Sequence, residues 1–105
     1  MVAQKFFRGS EHQEDRMGEA PKDCPAGKVC FYEGYNYDKL VRAEEPSNKW
    51  VGLPAFTSVY NHSEKKAIVV YDSKDGPWGD KQKVAPKSGD PVLSFKSYSY
   101  MVDDS

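Results

Sequence analysis

Two stretches of the sequence place aromatic residues among turn residues in a similar way. The first is VCFYEGYNYDK, residues 29–39, and the second is VVYDSKDGPWGDK, residues 69–81. Rings beside glycine, asparagine and aspartate are typical of a β-hairpin, because glycine and asparagine accept the positive φ angles of tight turns. A chain that contains such a hairpin twice is predicted to consist of two copies of one supersecondary unit.

An alignment of the two copies relates residues in the hairpins and beyond them. It pairs Tyr32 with Tyr71, Glu33 with Asp72 and Ser58 with Ser94, and it brings Tyr37 and Trp78 to comparable offsets. Each unit is too small to bury its own apolar face, so the two are expected to pack around one shared core. The late serine of each unit is expected to hydrogen-bond to the folded hairpin and hold it in place.

The sequence from Cys24 onward contains short strand-like runs separated by turn residues. The clearest runs are KVCFYE, AFTSVYN, KAIVVYD, KQKVAP and PVLSFKSYSYM. Strands at this spacing, with no helical period after residue 21, predict an all-β sandwich or barrel. We expect one domain over residues 22–102, a flexible N-terminal arm over residues 1–21 and a frayed tail over residues 103–105.

The composition excludes some classes of partner. The chain has 15 basic and 16 acidic residues and a formal net charge of -1, which argues against nucleic acid or a membrane held by bulk electrostatics. No stretch approaches the roughly 20 apolar residues of a membrane span. The opening MVAQKFF lacks the apolar run of a signal peptide, so an exported form would begin after its signal.

Cys24 and Cys30 occur together in CPAGKVC, where proline and glycine favour a turn. This spacing suits a small disulfide loop, and a reduced structural pair is the alternative. A zinc site would need two more ligands, and neither His12 nor His62 is close in sequence.

No pattern in the sequence assembles a catalytic group. The aspartates of the second hairpin, Asp72, Asp75 and Asp80, are explained by turn formation. Ser58 and Ser94 lack a G-x-S-x-G turn and a histidine placed as a base. Asn61 matches the N-x-S glycosylation pattern, which is a weak signal. We therefore expect a binding protein and not an enzyme.

The stretches CFYEGYNYDK, FTSVYN and VVYDSKDGPWGD resemble the Greek-key motif of the βγ-crystallin superfamily. The opening CPAGKVCFYE resembles a bacterial branch of it, the family of the Streptomyces metalloproteinase inhibitor. The resemblance covers about residues 23–101 and implies two Greek-key motifs that form a βγ-crystallin-like sandwich.

Many members of that superfamily bind calcium through an acidic or asparagine pair that precedes two hydroxyl residues. In this chain Leu53 and Pro54 hold the positions of the pair, before the hydroxyls of Thr57 and Ser58. The resemblance leaves Glu33, Thr57 and Asp72 as candidate calcium ligands of a weak site.

The resemblance implies a secreted inhibitor that presents a rigid, extended loop to an extracellular protease, with metalloproteases as the candidate class. We expect the protein to be a monomer. The candidate loops are residues 34–39, 48–54 and 75–80, with Tyr35, Asn36, Trp50, Asp75 and Trp78 as candidate contacts. Two other functions stay open. One is a calcium-binding or stress-related domain without inhibitory activity, and the other is an antifungal or toxin-like protein that binds a cell wall.

Overall fold

The computed structural model describes residues 20–103 of the chain. Within that range the polypeptide forms eight β-strands and no helix. The strands are β1 Val29–Gly34, β2 Asp38–Glu44, β3 Val51–Phe56, β4 Ser58–Asn61, β5 Ile68–Tyr71, β6 Lys81–Val84, β7 Ser88–Asp90 and β8 Ser97–Val102. The prediction of an all-β sandwich is confirmed.

The strands form two antiparallel four-stranded sheets with related strand orders. One sheet has the order β2-β1-β4-β7 and the other has the order β3-β8-β5-β6. If the chain is divided into β1–β4 and β5–β8, each half contributes its third strand to the sheet of the other half. Neither half therefore contains a complete sheet, and the two halves depend on each other for their fold.

The main core lies between the two sheets. It is made of wholly or almost wholly buried side chains from both halves: Val29, Phe31, Phe56, Val59, Ile68, Val70, Val84, Leu93, Tyr100 and Val102. The ring of Phe31 lies 4.7 Å from the ring of Phe56 and 4.8 Å from that of Tyr100. Strand alternation brings these residues to the inner faces, and the rings supply much of the buried area of a small core.

The outer face of the β2-β1-β4-β7 sheet is covered as well. Cys24, Cys30, Tyr32 and Tyr60 form a second buried cluster there, against which Ala20 and Tyr37 pack. The Tyr32 hydroxyl donates a hydrogen bond to Asp23 Oδ1 at 2.8 Å, and burial, followed by this bond, raises the pKa of Tyr32. Because both faces of β1 are covered, Val29–Tyr32 is buried at every position.

The folded hairpin between β1 and β2 places the Tyr37 ring on this outer face. Asn36, Tyr37 and Lys39 all have φ near +60°, and the Tyr37 ring packs edge-on against Tyr32 and Tyr60. A Cβ atom at Gly89 would lie 2.5 Å from the Tyr37 hydroxyl. Glycine at position 89 therefore makes room for the ring that covers the sheet.

Ser58 holds the first folded hairpin, as the sequence predicts, and Ser99 instead of Ser94 holds the second. Ser58 Oγ donates to the carbonyl of Gly34 at 2.7 Å and accepts the N–H of Tyr37 at 3.0 Å. In the second half Ser99 Oγ donates to the carbonyl of Ser73 at 2.9 Å. Ser58 lies opposite Tyr32 in the ladder and Ser99 lies opposite Tyr71. The counterpart of Ser58 is thus Ser99, and its pairing with Ser94 was wrong, because the loop before β8 is longer than the one before β4.

The sandwich has two distinct ends, which the strand register defines. Tyr32 pairs with Ser58, Phe56 with Ser97, Tyr71 with Ser99 and Val59 with Asp90. The connections β1–β2, β3–β4, β5–β6 and β7–β8 therefore lie together at one end, which we call the hairpin end. The connections at residues 45–50, 62–67 and 85–87 lie at the other, which we call the disulfide end.

The predicted disulfide between Cys24 and Cys30 is present, with the two Cα atoms 5.8 Å apart. Its loop is tied to the end of β4 by hydrogen bonds from Gly27 N–H to the carbonyl of His62 and from His62 N–H to that of Lys28, both 2.9 Å long. His62 Nδ1 lies 2.8 Å from the Cys24 carbonyl oxygen. The bridge therefore fastens the N-terminal segment across the outer face of the sheet.

Replacement of both cysteines by serine is expected to lower the free energy of unfolding by about 2 kcal/mol, because the bridge closes only a short loop in the unfolded chain. Chemical denaturation of the wild type and of the double variant measures this difference. An unchanged midpoint would contradict the role given to the bridge.

The predicted arm ends at residue 21 and the predicted tail begins at residue 103. The described residues next to both boundaries contact the domain. Ala20 packs on the outer cluster, and the carbonyl of Pro21 accepts the N–H of Cys24 at 3.0 Å. At the other terminus Asp103 N–H donates to the Ala67 carbonyl, and its carboxylate lies 3.1 Å from Lys83 Nζ. The remainder of the predicted arm and tail, residues 1–19 and 104–105, lies outside the described residues.

Candidate functional site

The hairpin end carries most of the exposed apolar surface of the described domain. Four large apolar side chains in residues 20–103 are exposed, namely Tyr35 (54%), Leu40 (37%), Trp78 (58%) and Val92 (53%). Three of them lie on connections at the hairpin end, and Leu40 pairs with Tyr32 close to it. Exposed apolar side chains grouped on one end of a small domain indicate an interaction surface.

The β3 strand reaches this end as an irregular edge strand. Gly52 pairs with Ser99 and Phe56 pairs with Ser97 on β8. Three residues of β3 therefore face a single residue of β8, and Leu53–Ala55 bulges out of the ladder while staying extended. Leu53 packs partly against the core, and Pro54 is exposed. The segment is thus anchored at both ends and open in the middle, which is the usual place for proline in a sheet.

Surface depressions lie on both sides of this segment. One is lined by Pro54 and Ala55 together with Glu33, Gly34, Tyr35, Val41, Thr57 and Lys96. The other is lined by Leu53, Pro54 and Ala55 together with Arg42, Gly52, Lys74 and Tyr98. Lys74 Nζ lies 4.8 Å above the Tyr98 ring, which is a cation–π distance. The bulge is therefore a ridge between two hollows, with Tyr35 on one flank.

The three candidate loops differ in backbone conformation. The loop at residues 34–39 contains three non-glycine residues with positive φ, and the loop at residues 75–80 turns at Gly79 with φ 88°. These two are tight turns and do not have an extended backbone. The candidate at residues 48–54 includes Val51–Pro54, which is extended as part of β3. Of the three candidate loops, the one at residues 48–54 therefore contains an extended run. The segment Leu53–Ala55 overlaps the end of that loop and extends it by one residue.

The candidate contact residues are divided between the two ends. Tyr35, Asn36, Asp75 and Trp78 lie at the hairpin end, and Trp50 lies at the disulfide end on the connection before β3. A Cβ atom at Gly52 would meet the Trp50 ring at 3.4 Å, so this half-buried indole covers the start of β3. Trp50 is therefore not part of the surface formed by the others.

Tyr35 is exposed on a backbone that is fixed on both sides. Ser58 holds the carbonyl of Gly34, and the N–H of Asn36 donates to the Pro91 carbonyl at 2.7 Å. Trp78 sits on a loop whose hydrogen bonds are mainly internal, such as Asp80 N–H to Asp72 Oδ1 at 3.1 Å. The Tyr35 turn is thus joined to the rest of the domain more directly than the Trp78 loop.

The candidate calcium ligands Glu33, Thr57 and Asp72 are divided between the two hairpins. The Thr57 hydroxyl donates to the Glu33 carbonyl at 2.7 Å, and Asp72 Oδ1 accepts a backbone N–H in the other hairpin. Residues 20–103 contain no group of three or more His, Cys, Asp or Glu side chains arranged to hold a metal ion. Calcium prefers about six to eight oxygen ligands, and a weak calcium site stays a prediction.

The glycosylation pattern at Asn61 is not accessible in the folded domain. Asn61 is wholly buried, and its Nδ2 donates to the carbonyls of Lys66 at 2.7 Å and Val84 at 3.2 Å. Its Oδ1 accepts from Ser63 N–H and Ser63 Oγ at 3.1 and 2.6 Å. Because every hydrogen-bonding group of the amide is used, Asn61 is a structural residue that links β4 to β6 across the two sheets.

Sequence reasoning missed Ala55 and Val92 as residues of this surface. A signal for them was present, since GLPAF at residues 52–56 and GDPVL at residues 89–93 share the order Gly-x-Pro-aliphatic before a buried apolar residue. The two stretches belong to the third strand of each half and to the residues that follow it.

The fold and this surface define a small binding domain. Residues 18–80, more than half of the chain, match the model of peptidase inhibitor family I36. The chain belongs to that family. Its partner is therefore a peptidase in general, and the protein is not an enzyme. No curated protein and no solved structure matches the chain significantly. In the described part of the chain no helix is long and apolar enough to cross a membrane.

Proposed function

We propose that this protein is a secreted inhibitor of an extracellular metallopeptidase and that Leu53–Ala55 is the segment that enters the peptidase cleft. The observation that carries the choice of segment is the extended backbone of the β3 bulge at the hairpin end, where Leu53, Pro54 and Ala55 have no partner in the β8 register. A peptidase binds its substrate as an extended chain, so that backbone groups pair with the edge of the cleft and side chains enter alternate pockets.

The anchoring of the bulge explains how binding leads to inhibition. Gly52 and Phe56 are held by β8, Phe56 is wholly buried, and Leu53 packs partly on the core. The segment therefore loses little conformational entropy when it enters a cleft, which strengthens binding. The same anchoring resists the change of geometry that peptide cleavage requires.

Pro54 adds to both effects at the centre of the segment. Its ring fixes φ, and its nitrogen carries no hydrogen. The backbone is thus ordered before binding, and the Leu53–Pro54 bond is a poor bond to cleave. Tyr35, on one flank of the ridge, supplies an exposed ring that contacts the peptidase beside the segment, and aromatic rings are common among the residues that dominate binding energy.

We also propose that the domain is a βγ-crystallin-like pair of Greek keys. The exchange of third strands between β1–β4 and β5–β8 supports this, together with the folded hairpins that Ser58 and Ser99 hold. A solution structure of residues 20–103 that lacks either feature would overturn this part of the proposal.

The test of the function is a panel of purified extracellular peptidases, metallo and serine, assayed with the full chain at micromolar concentration. We expect at least one metallopeptidase to be inhibited and the inhibition to be stable over time. If every peptidase in the panel retains full activity, the proposal is wrong. Inhibition of serine peptidases alone would overturn the metallopeptidase assignment.

A further inference from the structure

We propose that Asp90–Val92 is a second contact segment of the inhibitor, which binds the same peptidase molecule as Leu53–Ala55. This inference rests on the proposed function. The first observation is the shared order Gly-x-Pro-aliphatic in the two halves of the chain. In both copies the residue that follows, Phe56 or Leu93, is buried in the core. This buried residue anchors the exposed residues that precede it.

The second observation is the position of the two segments in the fold. β3 and β7 are the third strands of their halves, and each is an edge strand of the sheet that belongs mainly to the other half. Both strands run towards the hairpin end, since Phe56 and Asp90 lie near their respective partners Ser97 and Val59. The internal repeat therefore brings two proline-containing segments to one end of the molecule.

The third observation is that Val92 is exposed on a backbone that is held in place. Its side chain is 53% exposed, although its N–H donates to Asp90 Oδ1 at 3.1 Å. On either side of it, the Pro91 carbonyl accepts from Asn36 at 2.7 Å and Leu93 N–H donates to the Thr57 carbonyl at 3.0 Å. An apolar side chain that is exposed on a fixed backbone is suited to binding, because little order is gained on association.

The Tyr35 turn connects the two segments. Tyr35 shares a depression with Pro54 and Ala55, and its neighbour Asn36 is bonded to Pro91. Tyr35 therefore adjoins the first segment through a shared depression, and its neighbour Asn36 is hydrogen-bonded to the second. This connection favours a single peptidase that contacts both segments.

The test compares the inhibition constants of variants on a peptidase that the wild type inhibits. Val92→Asp is expected to weaken inhibition about 10-fold or more, because it places a carboxylate against an apolar surface. Val92→Ile is expected to stay within about twofold of the wild type, since it conserves the apolar contact. Asn48→Asp adds the same charge at an exposed position of the disulfide end and is the matched control.

The outcomes separate this inference from the proposed function. If the wild type inhibits and Val92→Asp inhibits equally well, the second segment is wrong and the first stands. If the wild type inhibits no peptidase, both are wrong. Sedimentation at the assay concentration tests whether a second copy of the chain, and not a peptidase, binds this surface. A wild-type dimer that Val92→Asp dissociates without any change in inhibition would overturn the proposal in favour of a second copy of the chain.

Discussion

An Asn61→Asp variant is expected to have a free energy of unfolding roughly 3–5 kcal/mol lower than that of the wild type at pH 7. This is a large part of the total free energy of unfolding of a small domain. The wild-type amide donates to two carbonyls, that of Lys66 on the connection before β5 and that of Val84 in β6. A carboxylate in its place has no hydrogen to donate, and its negative charge faces both carbonyl oxygens in a wholly buried position. Chemical denaturation monitored by tryptophan fluorescence measures the loss.

The pH dependence of this variant follows from the same contacts. Burial raises the pKa of the introduced carboxyl in the folded state above its unfolded value of about 3.9. The deficit relative to the wild type is thus fully present above the folded-state pKa and shrinks as the pH falls towards 4. Asn48→Asp makes the same chemical change at an exposed site and should cost less than about 0.5 kcal/mol. Equal losses in the two variants would contradict the role of Asn61.

A Pro54→Asp variant is expected to weaken inhibition of the target peptidase roughly 100-fold while its melting temperature changes little. A charge at the centre of a buried contact costs several kcal/mol of binding energy. Pro54 is exposed and has no partner in the ladder, so its replacement removes few contacts that stabilise the fold. Inhibition constants from steady-state kinetics and thermal melts of the same samples give the two quantities.

The control for Pro54→Asp is Pro86→Asp, which changes a half-buried proline at the disulfide end. It is expected to leave inhibition unchanged within about twofold, because the residue lies far from the hairpin end. If Pro86→Asp weakens inhibition as much as Pro54→Asp does, the contact surface does not lie where we place it. If neither variant weakens inhibition, the β3 bulge serves only to protect a sheet edge.

The class of the fold was predictable from local patterns. The β-branched run of β5, turn residues in both hairpins and the cysteines at residues 24 and 30 each favour one local structure, and the structure agrees with all of them. The role of Ser58 was also predictable, because a serine that follows a folded hairpin has a backbone carbonyl within reach.

The position of the functional surface was not predictable in the same way. The exchange of β3 and β7 between the halves depends on long-range pairing that leaves no local signal. Without knowledge of that pairing, the sequence does not distinguish Trp50 from Trp78, because each lies near a glycine in a loop. In the structure they lie at opposite ends of the sandwich. The mistaken pairing of Ser58 with Ser94 has a related cause, since the loop before β8 is longer than the one before β4 and packs Leu93 and Phe95 on the core.

Residue-resolved amide exchange of the inhibitor, free and in complex with its peptidase, tests the central claim most directly. We expect the N–H group of Ala55, which has no partner in the β3–β8 register, to exchange rapidly in the free protein and slowly in the complex. The amides of residues 64–66 at the disulfide end should not change. A complex in which Ala55 exchanges as it does in the free protein, with protection elsewhere, would contradict the placement of the contact segment.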